Sequence, residues 1–237
     1  MNRFLILLGL LLFGLCASAE VLDVDYEYNV NMTNFWEKNG KAEQKVLAVG
    51  SKIIGANQLG KRIPLQVARR PNVINAFSYR YNKTVVITTG IMPYIDNDDE
   101  LAYLIGHETA HSLDSYCGLG KWTAMTFNSR QYEYKADLIG LDMMAKAGYN
   151  PIAGITLLNK FAPESPIDFG LMTSHPKTSK RILAMYKYIY KKYPWALSSS
   201  MAQNVHYVNF TYSAEKDINL FQQTEKERAN KRIKESL

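Results

Sequence analysis

The stretch Gly106-His107-Glu108-Thr109-Ala110-His111 constrains this chain more than any other. Positions four apart share one face of a helix, so a helix here aims the imidazoles of His107 and His111 at a single point. Two converging imidazoles suit a zinc ion. Glu108, one residue round from the first histidine, stands beside that ion without binding it, placed to take a proton from water. The preceding residues support a helix. Asp98 or Asp99 can cap its start, and Leu101, Leu104 and Ile105 recur at helical spacing to bury one side. With four His and 12 Glu in 237 residues, such a motif arises by chance on the order of a few times in a thousand chains, which favours a metal site over two histidines on a surface helix.

A metal site needs a compartment and a scaffold. Residues 1–19 carry Arg3, an apolar run over 4–15 and the small-residue site Ala17-Ser18-Ala19, the layout of a cleaved secretory signal. The run is shorter than the roughly 20 residues of a membrane span, which makes an uncleaved anchor the lesser alternative. Bulky Leu15 argues against a lipoprotein site at Cys16. Residues 20–200 are read as one domain and 201–237 as a charged, helical tail. Cleavage after Ala19 leaves Cys117 as the one cysteine, so no intrachain disulfide is available. The net charge of +6 is spread over small clusters such as Arg69-Arg70 and Lys191-Lys192. No patch for nucleic acid is formed, and weak attraction to anionic envelope lipids, a peripheral membrane contact, is the modest inference.

Around the motif, 34–55 reads as an amphipathic helix, followed by short β-branched and aromatic runs at 63–68, 73–79 and 83–89. Their connections are too short for crossovers, which predicts a small, mostly antiparallel sheet. Helices are expected over 130–147, capped by Asn128 or Ser129 and ended by Gly148, from Pro151 to about 161, and from Pro176 to 193, with an irregular loop over 162–175. Residues 205–212 read as a strand and 214–237 as a helix.

A catalytic zinc takes three protein ligands and keeps one position open, so another donor is required. Glu133 is the best candidate, with Asp137 one helical turn later, where a carboxylate can orient a histidine by accepting its other N–H. The alternative is that Glu133 and Asp137 form a solvated face with Arg130 and Lys135.

His107-Glu108-Thr109-Ala110-His111 followed by Glu133-x-x-x-Asp137 resembles the zinc metallopeptidase family that includes HtpX, the CAAX prenyl endopeptidases and soluble periplasmic members such as BepA. Asn75-Ala76-Phe77 and Thr89-Gly90 upstream, and His175-Pro176 with Arg181-Ile182 downstream, are similar to further segments of that family in the same order. The resemblance implies an α+β, mainly helical zincin-type domain. It implies one zinc ion per chain held by His107, His111 and Glu133, with Glu108 as general base and Asp137 and Arg181 behind the ligands. His175 matches a position near the active site that stabilises an oxyanion or covers the metal. The plain alternatives are a helix-capping His175 and an Arg181 in a surface ion pair. Ser78-Tyr79-Arg80-Tyr81-Asn82-Lys83 departs from the Gly-rich turn usual there, which bears on substrate preference.

The function implied is a periplasmic zinc endopeptidase acting on unfolded, misassembled or damaged envelope proteins. Such a peptide is expected to lie along 85–88 by β-augmentation. The alternative is a non-enzymatic envelope assembly or chaperone-like factor with a closed zinc site, its charged tail binding assembly proteins. A small-molecule zinc hydrolase fits the ligands but not the order of the other motifs.

Overall fold

A helix buried on every side is unusual, and the motif helix is one. The computed structural model describes residues 35–59, 63–79, 82–113, 129–161 and 178–236. The chain divides into two compact units, Met1–Lys41 and Ala42–Leu237. The expected signal (1–19), the loop over 162–175 and His175 lie outside the described residues.

Helix α1 (Phe35–Ala56) buries Val46, Val49 and Ile53 and leaves Leu47 at 43% exposure, as a period of 3.6 requires. Three strands follow: β1 (Leu65–Ala68), β2 (Ala76–Ser78) and β3 (Val85–Thr88), in the order β1-β3-β2. β2 and β3 pair antiparallel, as their short connection predicts, but β1 runs parallel to β3 with Leu65 opposite Val85. The sheet is therefore mixed rather than mostly antiparallel. The intervening segment with β2 is the excursion that returns the chain in the original direction beside β1. Thr88 pins this return, its hydroxyl 2.6 Å from the Val73 carbonyl oxygen and accepting from Asn75 N–H at 3.0 Å. Because β3 is paired on both sides, no peptide can add to 85–88, and that expectation is corrected.

The motif helix is α2 (Asp98–Leu113), followed by α3 (Ser129–Lys146), α4 (Ile152–Lys160) and α5 (Thr178–Lys192). β2, β3, α3 and α4 all pack against α2, so every residue from Glu100 to Ala110 is buried rather than one side alone. Asn97, not Asp98 or Asp99, caps the helix. Its Oδ1 accepts from Glu100 N–H at 2.9 Å while Glu100 Oε2 accepts from Asp96 N–H at 2.9 Å, close to a capping box. Glu100 is fully buried and is held there by Lys160 Nζ at 2.6 Å and the Thr156 hydroxyl at 2.8 Å. A buried carboxylate without such partners would cost several kcal/mol. Gly148 ends α3 in the left-handed region at φ +81°, and Tyr149 N–H reaches back to the Met144 carbonyl.

Residues 205–212, expected as a strand, form α6 (Val205–Ser213). Their β-branched and aromatic content suits a strand, but Tyr207 and Phe210 are buried three apart while Val205, Val208 and Tyr212 are exposed. That spacing follows a helix, and the Asn204 side chain caps it by accepting from His206 N–H. α7 (Glu215–Ser236) is helical as expected, with Ile218 buried. Among the described residues no helix is long and apolar enough to cross a membrane.

Candidate metal centre

The crossing of α2 and α3 sets the geometry of the centre. A Cβ on Gly106 would lie 2.9 Å from the Gly140 carbonyl oxygen, and one on Gly140 would lie 2.9 Å from His107 N. The two backbones therefore touch where only glycine fits. From that point the helices run antiparallel, pairing His107 with Asp137 and His111 with Glu133.

Three donor atoms converge there. His107 Nε2 and His111 Nε2 lie 3.1 Å apart, His111 Nε2 is 3.3 Å from Glu133 Oε1, and His107 Nε2 is 3.5 Å from Glu133 Oε2. A tetrahedral zinc with ligand bonds of about 2.0–2.1 Å requires neighbouring donors about 3.3–3.4 Å apart. Two imidazoles and one carboxylate at this spacing fit zinc, and among the described residues these three form the group able to hold a metal ion.

Behind the donors lies a buried ion network. His107 Nδ1 sits 3.0 Å from Asp137 Oδ1, so in the neutral ring the carboxylate favours the proton on Nδ1 and leaves Nε2 as the donor atom towards the centre. Arg181, from α5, donates to both Asp137 oxygens through Nε at 2.8 Å and Nη2 at 2.6 Å. Its Nη1 lies 3.1 Å from Glu133 Oε2. Tyr103 donates to Asp137 Oδ1 at 2.7 Å. Glu133 is 6% exposed and Asp137 1%, so the alternative of a solvated face is overturned. Arg181, 3% exposed, is likewise no surface ion pair. Glu108 is buried beside His107 in the same helix. Thus the structure brings together His107, His111, Glu133, Asp137 and Arg181, while His175 lies outside the described residues.

Burial penalises charge on both His107 and Asp137, yet their partners outweigh it. The Asp137 and Glu133 carboxylates push His107 up from 6.5 to about 9. The Arg181 guanidinium, aided by His107, holds Asp137 well below the usual carboxylate range. In the metal-free protein, protonated His107 therefore contributes stability that is fully present below pH 6.5 and is lost as pH rises through about 9. A metal ligand must be neutral, so zinc has to expel that proton. The apparent zinc Kd is expected to fall about tenfold per pH unit between about pH 7 and 9 and then level off. Calorimetry in buffers of different ionisation enthalpy would read the released proton, and a Kd independent of pH would contradict this coupling.

Comparison with known proteins agrees with the centre. The family model of peptidase family M48 matches residues 40–116 and 118–189. The mitochondrial metalloendopeptidase OMA1 of Arabidopsis thaliana is 27% identical over 173 residues, covering 61% of this chain and 34% of that protein. The mitochondrial metalloendopeptidase OMA1 of Saccharomyces cerevisiae is 27% identical over 208 residues, covering 73% of this chain and 59% of that protein. The chain thus spans less than two thirds of the length of either relative.

Proposed function

The chain belongs to peptidase family M48, and from that premise we propose that it is a zinc-dependent endopeptidase that cleaves unfolded polypeptides, with His107, His111 and Glu133 as metal ligands and Glu108 as general base. The observation that carries this reading is the convergence of two imidazole nitrogens and a carboxylate at tetrahedral spacing, backed by a buried Asp–Arg pair.

When bound, zinc supplies Lewis-acid chemistry, lowering the pKa of water from about 15.7 to about 7 and polarising a carbonyl oxygen. The chain's own residues do the rest. The Glu108 carboxylate takes the proton of the attacking water and delivers it to the amine nitrogen as the peptide bond breaks. Asp137 keeps His107 in the tautomer that presents Nε2, and Arg181 holds Asp137 and Glu133 in place. His175 fits the role of an oxyanion donor through its match to the family's segment.

Substrate would dock on β2 rather than β3. Tyr79 N–H bonds to Thr84 O and Thr88 N–H to Asn75 O, so alternate residues 75, 77 and 79 face β3. The N–H and C=O of Ser78 and the C=O of Ala76 therefore point to the free edge, where no described strand pairs with β2. β2 packs against α2, which supports β2 as the docking strand next to the catalytic helix. An extended peptide bound through main-chain groups explains a preference for unfolded chains with little sequence specificity. The secretory layout of residues 1–19 supports a periplasmic location, with damaged or misassembled envelope proteins as substrates and the enzyme as a soluble relative of the HtpX and BepA type.

Cleavage of casein by the zinc-loaded chain, measured with Ser78→Pro alongside, tests the reading. Proline removes one outward N–H without touching the β2–β3 ladder and is expected to lower kcat/KM about 3- to 10-fold. Casein left intact by the wild-type chain would refute the peptidase; equal cleavage by both proteins would remove β2 as the docking edge.

A further inference from the structure

We propose that Tyr103 is a positioning residue of the metal centre: its hydroxyl fixes the Asp137 carboxylate so that His107 presents Nε2 to zinc. The inference rests on the reading of His107, His111 and Glu133 as zinc ligands.

Tyr103, His107 and His111 are spaced four apart on α2 and so share one face. The Tyr103 ring lies against the His107 ring, their centroids 5.8 Å apart at 38°. The hydroxyl reaches past it to donate to Asp137 Oδ1 at 2.7 Å, the same oxygen that faces His107 Nδ1 at 3.0 Å. Arg181 holds that carboxylate from α5, whereas Tyr103 holds it from the helix that carries the ligand. Two donors on two helices define where the carboxylate sits, and only one of them moves with His107.

The surroundings make the hydroxyl informative. Tyr103 is 1% exposed, and its ring lies in a helix whose neighbouring residues on the other faces are buried too. Phenylalanine would fill this space with no polar atom to desolvate. A buried tyrosine hydroxyl requires a partner. Besides Asp137, the neighbouring acceptor is the Met185 sulfur at 3.9 Å, a weak one. The hydroxyl is thus spent on the carboxylate behind the ligand.

Outer partners of metal ligands change metal affinity about 10- to 100-fold when removed. Chelator competition on the full chain, comparing wild type, Tyr103→Phe and Tyr188→Phe, tests the role. Tyr188 donates to Asp142 at 2.8 Å outside the centre, so its variant deletes the same kind of bond without a ligand behind it. The zinc Kd is expected to rise about tenfold in Tyr103→Phe and to stay within about twofold in Tyr188→Phe. If Tyr103→Phe folds only at raised zinc, a higher zinc concentration at half-folding reports the same weakening. An unchanged Kd, with melting temperature lowered equally with and without zinc, would reduce Tyr103 to a packing residue. A variant that folds at no zinc concentration would do the same. A wild-type chain that takes up no zinc would overturn the metal centre and this inference with it.

Discussion

Glu108→Gln is expected to retain one zinc per chain and to lose peptide cleavage by about 10²- to 10⁴-fold, the usual contribution of a positioned general base. Glutamine has nearly the same volume, so the packing around a residue buried in α2 is kept. What disappears is the basic oxygen. Zinc affinity should stay close to wild type, because the ligands are the neighbours His107 and His111 with Glu133 from α3. Peptide binding at β2 should also survive, so the loss should fall on kcat more than on KM. Steady-state kinetics beside metal analysis would decide. Cleavage at the wild-type rate would show that Glu108 is not the base; loss of zinc would show that it holds the metal.

Arg181→Leu is the second large effect, and it falls on stability. Arg181 is 3% exposed and contacts both Asp137 and Glu133. Without it two buried carboxylates lose the guanidinium that contacts both, leaving the imidazoles of His107 and His111 beside them in the metal-free protein. Removing one partner of a buried ion pair costs about 3–5 kcal/mol. The variant should regain part of that loss on adding zinc, because the ion supplies positive charge to Glu133. Its pH dependence should change as well. Asp137 is held below its ordinary value of 3.8, so its contribution is present above that pH and is lost as pH falls through the lower folded value. Without Arg181 the folded value moves up towards 3.8, so this acid-dependent loss should shrink and be complete at a higher pH. Arg181→Lys should fall between, keeping the charge but not the two-pronged contact. Thermal melts with and without zinc from pH 3 to 8 would measure all of this. Equal melting temperatures for wild type and Arg181→Leu without zinc would show that the pair does not stabilise the fold.

Much of the centre was legible from residue type and spacing. His107 and His111 at a four-residue interval announce a shared face, and Glu133 with Asp137 repeats that interval in the next helix. The same arithmetic located α1, through Val46, Val49 and Ile53. Features set by contacts between distant segments were not legible. Gly106 and Gly140 read as ordinary helical glycines until the two backbones are seen to touch. The central place of β3 depends on which strand it meets, and local alternation says nothing of that. Glu100 resembles any first-turn acid, and only the approach of Lys160 and Thr156 from α4 explains its burial. In α6, residue preference pointed to a strand and the burial period of Tyr207 and Phe210 prevailed. Tyr103 carried a readable signal, the four-residue step to His107, but its partner Asp137 lies 34 residues away.

Diffraction from zinc-loaded crystals at the zinc absorption edge tests the central claim most directly. The account predicts one ion about 2.0–2.2 Å from His107 Nε2, His111 Nε2 and a Glu133 oxygen, with the fourth position open to solvent. An ion bound elsewhere, or one closed by a fourth protein ligand in the manner of a structural site, would contradict it.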